Sequence, residues 1–207
     1  MSREAVLGRV RAMLAADKSE AAVTPVSYPR AGALGVDGRL HLLEERLREY
    51  DARFFHCSED GIAHQITGLL SDGGKRRMVH PAGVPLQWLD PHISWTADTG
   101  VLLYSDIEAF DGVLTGAAAA VAESGSIVLQ HGPAEGRRAL TLLPDYHICV
   151  LFKEQVVETL PECFDRLRPG AARPITFVSG PSATADIEMT RIKGVHGPRF
   201  LDVVLVS

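Results

Sequence analysis

The chain has 207 residues, 46% of them hydrophobic and 23% charged, with a formal net charge of −5. That length and composition suit one α/β domain able to bury a single core. The acidic balance argues against nucleic acid or an anionic membrane surface as the main partner, since both reward a basic face. It leaves a local anion site open.

The reading in chain order begins with a helix capped by Ser2, with Val6, Val10, Met13 and Leu14 on one face. Residues 17–38 lose periodicity and collect Pro25, Pro29 and several glycines, which predicts a loose connector and makes the first helix an arm. The expected division is therefore 1–37 for the N-terminal helix and flexible connector, and 38–207 for the folded domain. Leu40, Leu43, Leu47 and Tyr50 recur at helical spacing. "RFFHC" (53–57) reads as a strand, followed by a helix capped at Ser58, faced by Ile62, Ile66, Leu69 and Leu70, and stopped by Gly73-Gly74. "RRMVH" (76–80) is the next strand. From Pro81 to Thr99 the pattern is irregular. Further strands are expected at 100–103, 111–115, 126–130, 147–152, 175–178 and 200–206. Continuous apolar strands alternating with helices predict a mostly parallel sheet covered on both faces.

Three cysteines, Cys57, Cys149 and Cys163, stand far apart with no Cys-x-x-Cys pair. This argues against a disulfide framework or an iron–sulfur site within the chain. The eight histidines lack zinc-type spacing, so no metal site is expected. Without a signal-like start or a spanning apolar run, a cytoplasmic protein is the expectation.

Three stretches could carry chemistry. In "DGVLTGAAAAVAESGSIVL" (111–129) a strand ends at Thr115-Gly116, a short Ala-rich helix is expected, and Glu123-Ser124-Gly125 leads into another strand. Small residues there either pack a helix closely or leave room for a ligand. In "GPAEGRRALTLLPDYHICVLF" (132–152) Arg138 offers a planar fork for a carboxylate or phosphate, or is an ordinary exposed cation. His147 enters a strand, where a core role is the plain reading. In "SGPSATADIEMTRIKGVHGPRF" (179–200) a turn runs from strand to a short helix capped by Ser182 or Thr184. Free N–H groups from Gly180 onward, with the positive end of a helix dipole, make a generic anion site. Asp186 either complements that dipole or binds ligand hydroxyls. His196 is a candidate acid or base, or a turn residue.

These stretches resemble the lactate-utilisation protein C family, the LUD-domain proteins. The shared patterns are T-G-x-x-x-x-I-A-E-T-G-T-I-V, R-x-x-x-L-L-P-D-x-H, S-G-P-S-x-T-A-D-I-E and G-V-H-G-P, and the likeness is strongest from Asp111 to Val206. Val121, Ser124 and Ser126 depart mildly from it. The resemblance implies a three-layer α/β/α sandwich around a mostly parallel sheet, like ribose-phosphate isomerases and CoA transferases. It implies a component of an L-lactate oxidation system yielding pyruvate, binding a small hydroxy- or keto-carboxylate. Iron–sulfur clusters would belong to partner subunits, with no cofactor in this chain. The fold analogy adds Glu123 as a candidate nucleophile, because CoA transferases use a glutamate in a Glu-x-Gly turn. The ligand-binding set becomes Thr115, Gly116, Arg138, Gly180, Ser182, Thr184 and Asp186, with Glu123 and His196 catalytic, and the set is expected to border one cleft. An acyl- or CoA-transferring or sugar-phosphate-isomerising enzyme, and a non-catalytic scaffold or sensor, are the alternatives.

Overall fold

The computed structural model describes residues 2–16, 30–167, 172–180 and 197–207. Helix α1 (Arg3–Ala16) starts where the Ser2 hydroxyl accepts the Ala5 N–H at 3.3 Å, and none of its residues is buried. It is an arm, as its isolated apolar stripe suggests. Most of the connector lies outside the described residues. Its last part is held in place. Glu158 accepts N–H bonds from Ala33 (3.1 Å) and Leu34 (2.6 Å), and Glu162 accepts one from Gly32 (3.0 Å). Residues 32–34 of the expected connector are thus tied to Glu158 and Glu162.

Six parallel strands form the central sheet. They are β1 (Arg53–Cys57), β2 (Arg77–Pro81), β3 (Ser94–Asp98), β4 (Gly112–Thr115), β7 (Tyr146–Phe152) and β10 (Phe200–Val206), in the order β1-β10-β7-β4-β2-β3. The intervening β5 (Ala119–Val121), β6 (Ser126–Leu129), β8 (Val156–Val157) and β9 (Thr176–Val178) make a second sheet, ordered β8-β5-β6-β9. The alternation of side chains across the central strands sorts the core into two layers. Ile148, Val150, Val204 and Val206 face helix α3 (Ile62–Asp72), which buries Ile62, Ile66, Leu69 and Leu70. Cys149, Leu151, Val203 and Leu205 face helix α2 (Val36–Arg48), through Leu43 and Leu47, and the second sheet, through Ala120, Ile127 and Leu129. Helix α5 (Leu160–Leu167) covers the far side of that sheet with Cys163 and Leu167. The result is the expected α/β architecture of a mostly parallel sheet between flanking layers.

Three local expectations are corrected. The alanines at 117–120 do not make a helix. Ala119–Val121 is a strand, because Ala119 and Val121 pack under α5 while Ala120 packs on the central core, and two-sided burial overrides alanine's helix propensity. Residues 100–103 form no strand but lead into helix α4 (Tyr104–Glu108). Ser58 precedes a 3₁₀ turn (Glu59–Gly61) and makes no side-chain cap bond. The stop at Gly73-Gly74 is as read: Gly74 has φ +63°, and Lys75 N–H returns to the Leu70 carbonyl at 2.8 Å.

Candidate functional site

Sheet topology opens a crevice. From β2 the chain moves outward to the edge strand β3, whereas from β4 it moves inward to β7 through the second sheet. The loops after these neighbouring strands leave in opposite directions, which is where open α/β sheets form ligand sites. A cleft of about 250 Å³ lies there, at the C-terminal ends of the parallel strands. Gly83 and Pro85 follow β2, Gly116 and Ala117 follow β4, and Glu59 follows β1. Val150 and Phe152 come from β7, and Trp88 from the 3₁₀ turn Leu86–Trp88.

Loop 130–136 closes one wall with Ala134. Its carbonyls hold the other loops: Gly83 N–H bonds Pro133 at 3.0 Å, and Gly116 N–H bonds Ala134 at 2.9 Å. A Cβ on Gly83 would lie 2.5 Å from Pro133, so the close approach requires glycine. The loop is pinned from within. Buried Glu135 accepts the N–H groups of Gln130 and Gly132. His131, at φ +52°, bridges the Gly136 carbonyl (2.7 Å from Nδ1) and the Thr176 hydroxyl (2.9 Å from Nε2). A carbonyl only accepts, so Nδ1 carries a proton.

The residues expected from sequence separate into two regions. Gly116 lines the cleft, and Thr115 is fully buried behind it with its hydroxyl 2.7 Å from His147 Nε2. Burial pushes the His147 pKa down to about 4, so the ring is neutral, and its Nδ1 has no partner among the described residues. Glu123 is exposed on the turn between β5 and β6. That turn packs against the end of α2, where the Tyr50 hydroxyl donates to the Gly125 carbonyl at 2.7 Å. Glu123 is not among the residues that line the cleft. Gly180 stands beside that turn: a Cβ there would fall 2.7 Å from the Tyr50 ring, and the Ser179 and Ser126 hydroxyls are 2.6 Å apart.

Arg138 opens the 3₁₀ turn Arg138–Thr141, is exposed, and makes no ion pair among the described residues. Its neighbour Arg137 instead grips Asp98, with Nε–Oδ2 at 2.7 Å, and the Leu102 carbonyl at 2.5 Å. Burial raises the Asp98 pKa, but Arg137 and the Gly100 N–H outweigh it and hold the carboxyl below its usual value. Ser182, Thr184, Asp186 and His196 lie outside the described residues. Gly197, where the description resumes, sits against the Thr141 carbonyl. Glu123 and Gly180 are thus brought together. Neither Thr115 nor Glu123 is among the residues that line the cleft, and β5 lies between them in the chain.

Glu59, Trp88 and Phe152 were not foreseen as site residues. They come from the turn after β1, the turn after β2 and the end of β7, with no shared motif. The usable signal was topological: strand ends flanking a reversal of chain direction. Among the described residues, no group of three His, Cys, Asp or Glu side chains could hold a metal ion, and no helix is long and apolar enough to cross a membrane.

Comparison with known proteins gives a consistent picture. The LUD domain model matches residues 40–206. A protein from Deinococcus radiodurans described as lactate utilization protein C is 40% identical over 182 residues, covering 87% of this chain and 85% of that one. The protein of the same description from Halalkalibacterium halodurans is 28% identical, covering 78% and 76%. The crystal structure of a DUF162 family protein from Deinococcus radiodurans superposes with a TM-score of 0.75 at 37% identity, covering 84% of this chain and all of that one. With the match running across nearly the whole sheet and both flanking layers, this chain belongs to the LUD domain family.

Proposed function

We propose that this chain is a component of an L-lactate utilisation system, in which lactate is oxidised to pyruvate and this subunit binds the small hydroxy- or keto-carboxylate. The observation that carries the reading is the 40% identity, over 87% of the chain, with a protein described as lactate utilization protein C. The oxidation releases two electrons and two protons per lactate. This chain has only three cysteines, far apart in sequence. We therefore assign the electrons to iron–sulfur clusters on partner subunits. The ligand carboxylate would be held by N–H groups from Gly180 onward, the Ser182 and Thr184 hydroxyls and Arg138, with Asp186 on the ligand hydroxyl. The juxtaposition of Gly180 and the Glu123 turn supports Glu123 as the base, with His196 as the second candidate.

Deletion of the gene, scored for growth on L-lactate and complemented with variants, tests this. Glu123→Gln and Ser182→Ala are expected to accumulate normally and fail to restore growth. Normal growth of the deletion strain would sink the lactate reading. Normal growth of both variants would remove the assigned roles.

A further inference from the structure

We propose that the cleft between the β2 and β4 loops is a second ligand site, one that takes a flat, positively charged nitrogen heterocycle rather than a carboxylate. The inference stands apart from the lactate reading, because neither Glu123 nor Gly180 lines this cleft.

Charge is the first argument. Among the described residues lining the cleft there is no Lys, Arg or His, and Glu59 is the one ionisable side chain. An anion placed there would lose hydration with no cation to compensate it, and would face a carboxylate besides. A cation meets the reverse conditions. Glu59 is exposed at the cleft mouth, where it stays solvated when the site is empty and attracts positive charge when it is filled.

Shape is the second. Trp88 and Phe152 share the wall, their ring centroids 6.2 Å apart and their planes inclined at 36°. Aromatic faces beside a carboxylate favour a delocalised cation over a neutral ring of the same outline. Gly116, Ala117 and Ala134 also line the cleft and are small enough to admit a flat group. The volume, about 250 Å³, suits one ring system with short substituents and falls below the roughly 300–1,000 Å³ of drug-sized pockets.

Preorganisation is the third. The Gln155 amide is already committed, donating to the Ala117 carbonyl at 2.6 Å and accepting the Phe152 N–H at 2.7 Å. It fixes the β4 and β7 loops on either side of the cleft. With loop 130–136 pinned by Glu135, the walls do not need to be ordered when the ligand arrives, which lowers the cost of binding.

Three probes of one outline and different charge test the proposal on the intact chain: 1-methylnicotinamide, nicotinamide and nicotinate, titrated by tryptophan fluorescence and ligand-observed NMR. The expected affinity order is cation, then neutral, then anion, with at least about a ten-fold gap between the extremes. Glu59→Gln should erase the advantage of the cation over the neutral ring, and Glu59→Arg should favour nicotinate. Glu59 is exposed, so both variants should melt like the parent, and neither bears on the lactate-growth test. Failure of all three probes to bind the parent chain would overturn the proposal, as would tight nicotinate binding or an order indifferent to Glu59.

Discussion

The Thr115 hydroxyl meets His147 Nε2 at 2.7 Å inside the central sheet, and both side chains are fully buried. The ring is neutral because burial lowers its pKa from 6.5 to about 4. The unfolded chain therefore binds a proton at His147 below about pH 6.5, and the native chain only below about pH 4. Stability should fall as pH drops through that window and level off beneath it. At about pH 5 the contribution is on the order of 2 kcal/mol relative to pH 7. Urea denaturation at both pH values should show a smaller pH dependence for His147→Gln than for the parent chain. Equal dependence in the two would mean that His147 is protonated in the folded state.

Gly125 has φ +60°, and a Cβ there would lie 2.6 Å from the Cβ of Arg46 on α2. Gly125→Ala should cost about 1–3 kcal/mol from backbone strain alone, with the contact adding to it. Gly8→Ala is the control, since a Cβ on Gly8 meets nothing within 4 Å and α1 has no buried residue. Denaturation midpoints compare them. Similar midpoints for both variants would show that the Glu123 turn yields without resistance.

The Glu158 carboxylate holds Ala33 and Leu34 by two N–H bonds. Hydrogen bonds to a charged group contribute about 1.5–3 kcal/mol each. Glu158→Ala should therefore raise amide exchange at Ala33 and Leu34 at least about ten-fold, with the β7 and β10 amides unaffected. Unchanged protection at 33–34 would mean that other contacts fix the segment.

Five of the six central strands announce themselves locally, whereas β3 (Ser94–Asp98) falls in the stretch 81–99 that reads as irregular. "FLDVVLV" and "HICVLF" are apolar on both faces, and Ile62, Ile66, Leu69 and Leu70 mark α3 by their spacing. In the second sheet, β6 and β9 fall on the expected strands 126–130 and 175–178, whereas β5 and β8 do not show in the sequence. β5 and β8 are three and two residues long and pair with each other far along the chain, so no local pattern encodes them. Helix α5 was missed although Thr159 and Glu162 form a capping box, with Glu162 N–H on the Thr159 hydroxyl at 3.4 Å and Thr159 N–H on the Glu162 carboxylate at 3.2 Å. The same limit applies to the site. Gly116 could be read from its strand-end motif, whereas Glu59, Trp88 and Phe152 converge only once β1, β2 and β7 end on the same side of one sheet.

Asp202, in β10, is 1% exposed and shared by two partners. Arg53 donates to Oδ1 at 2.6 Å and Oδ2 at 2.5 Å, and the buried Tyr146 hydroxyl donates to Oδ2 at 2.5 Å. The carboxylate also raises the Tyr146 pKa, adding to the larger effect of burial. What each substitution leaves behind sets its cost. Tyr146→Phe leaves the Arg53 pair intact, at a cost of about 1 kcal/mol. Asp202→Asn leaves an acceptor for Tyr146 and an Arg53 side chain that is 54% exposed and can rehydrate, so the loss should be about 1–3 kcal/mol. Arg53→Gln strands a buried carboxylate without its counter-charge, and losses of about 3–5 kcal/mol follow from such uncompensated charges. Removing the exposed partner should thus cost more than neutralising the buried one. Denaturant titration of the three variants at neutral pH measures the order. Asp202→Asn proving the most damaging would mean that the carboxylate stabilises the sheet through more than its pairing with Arg53.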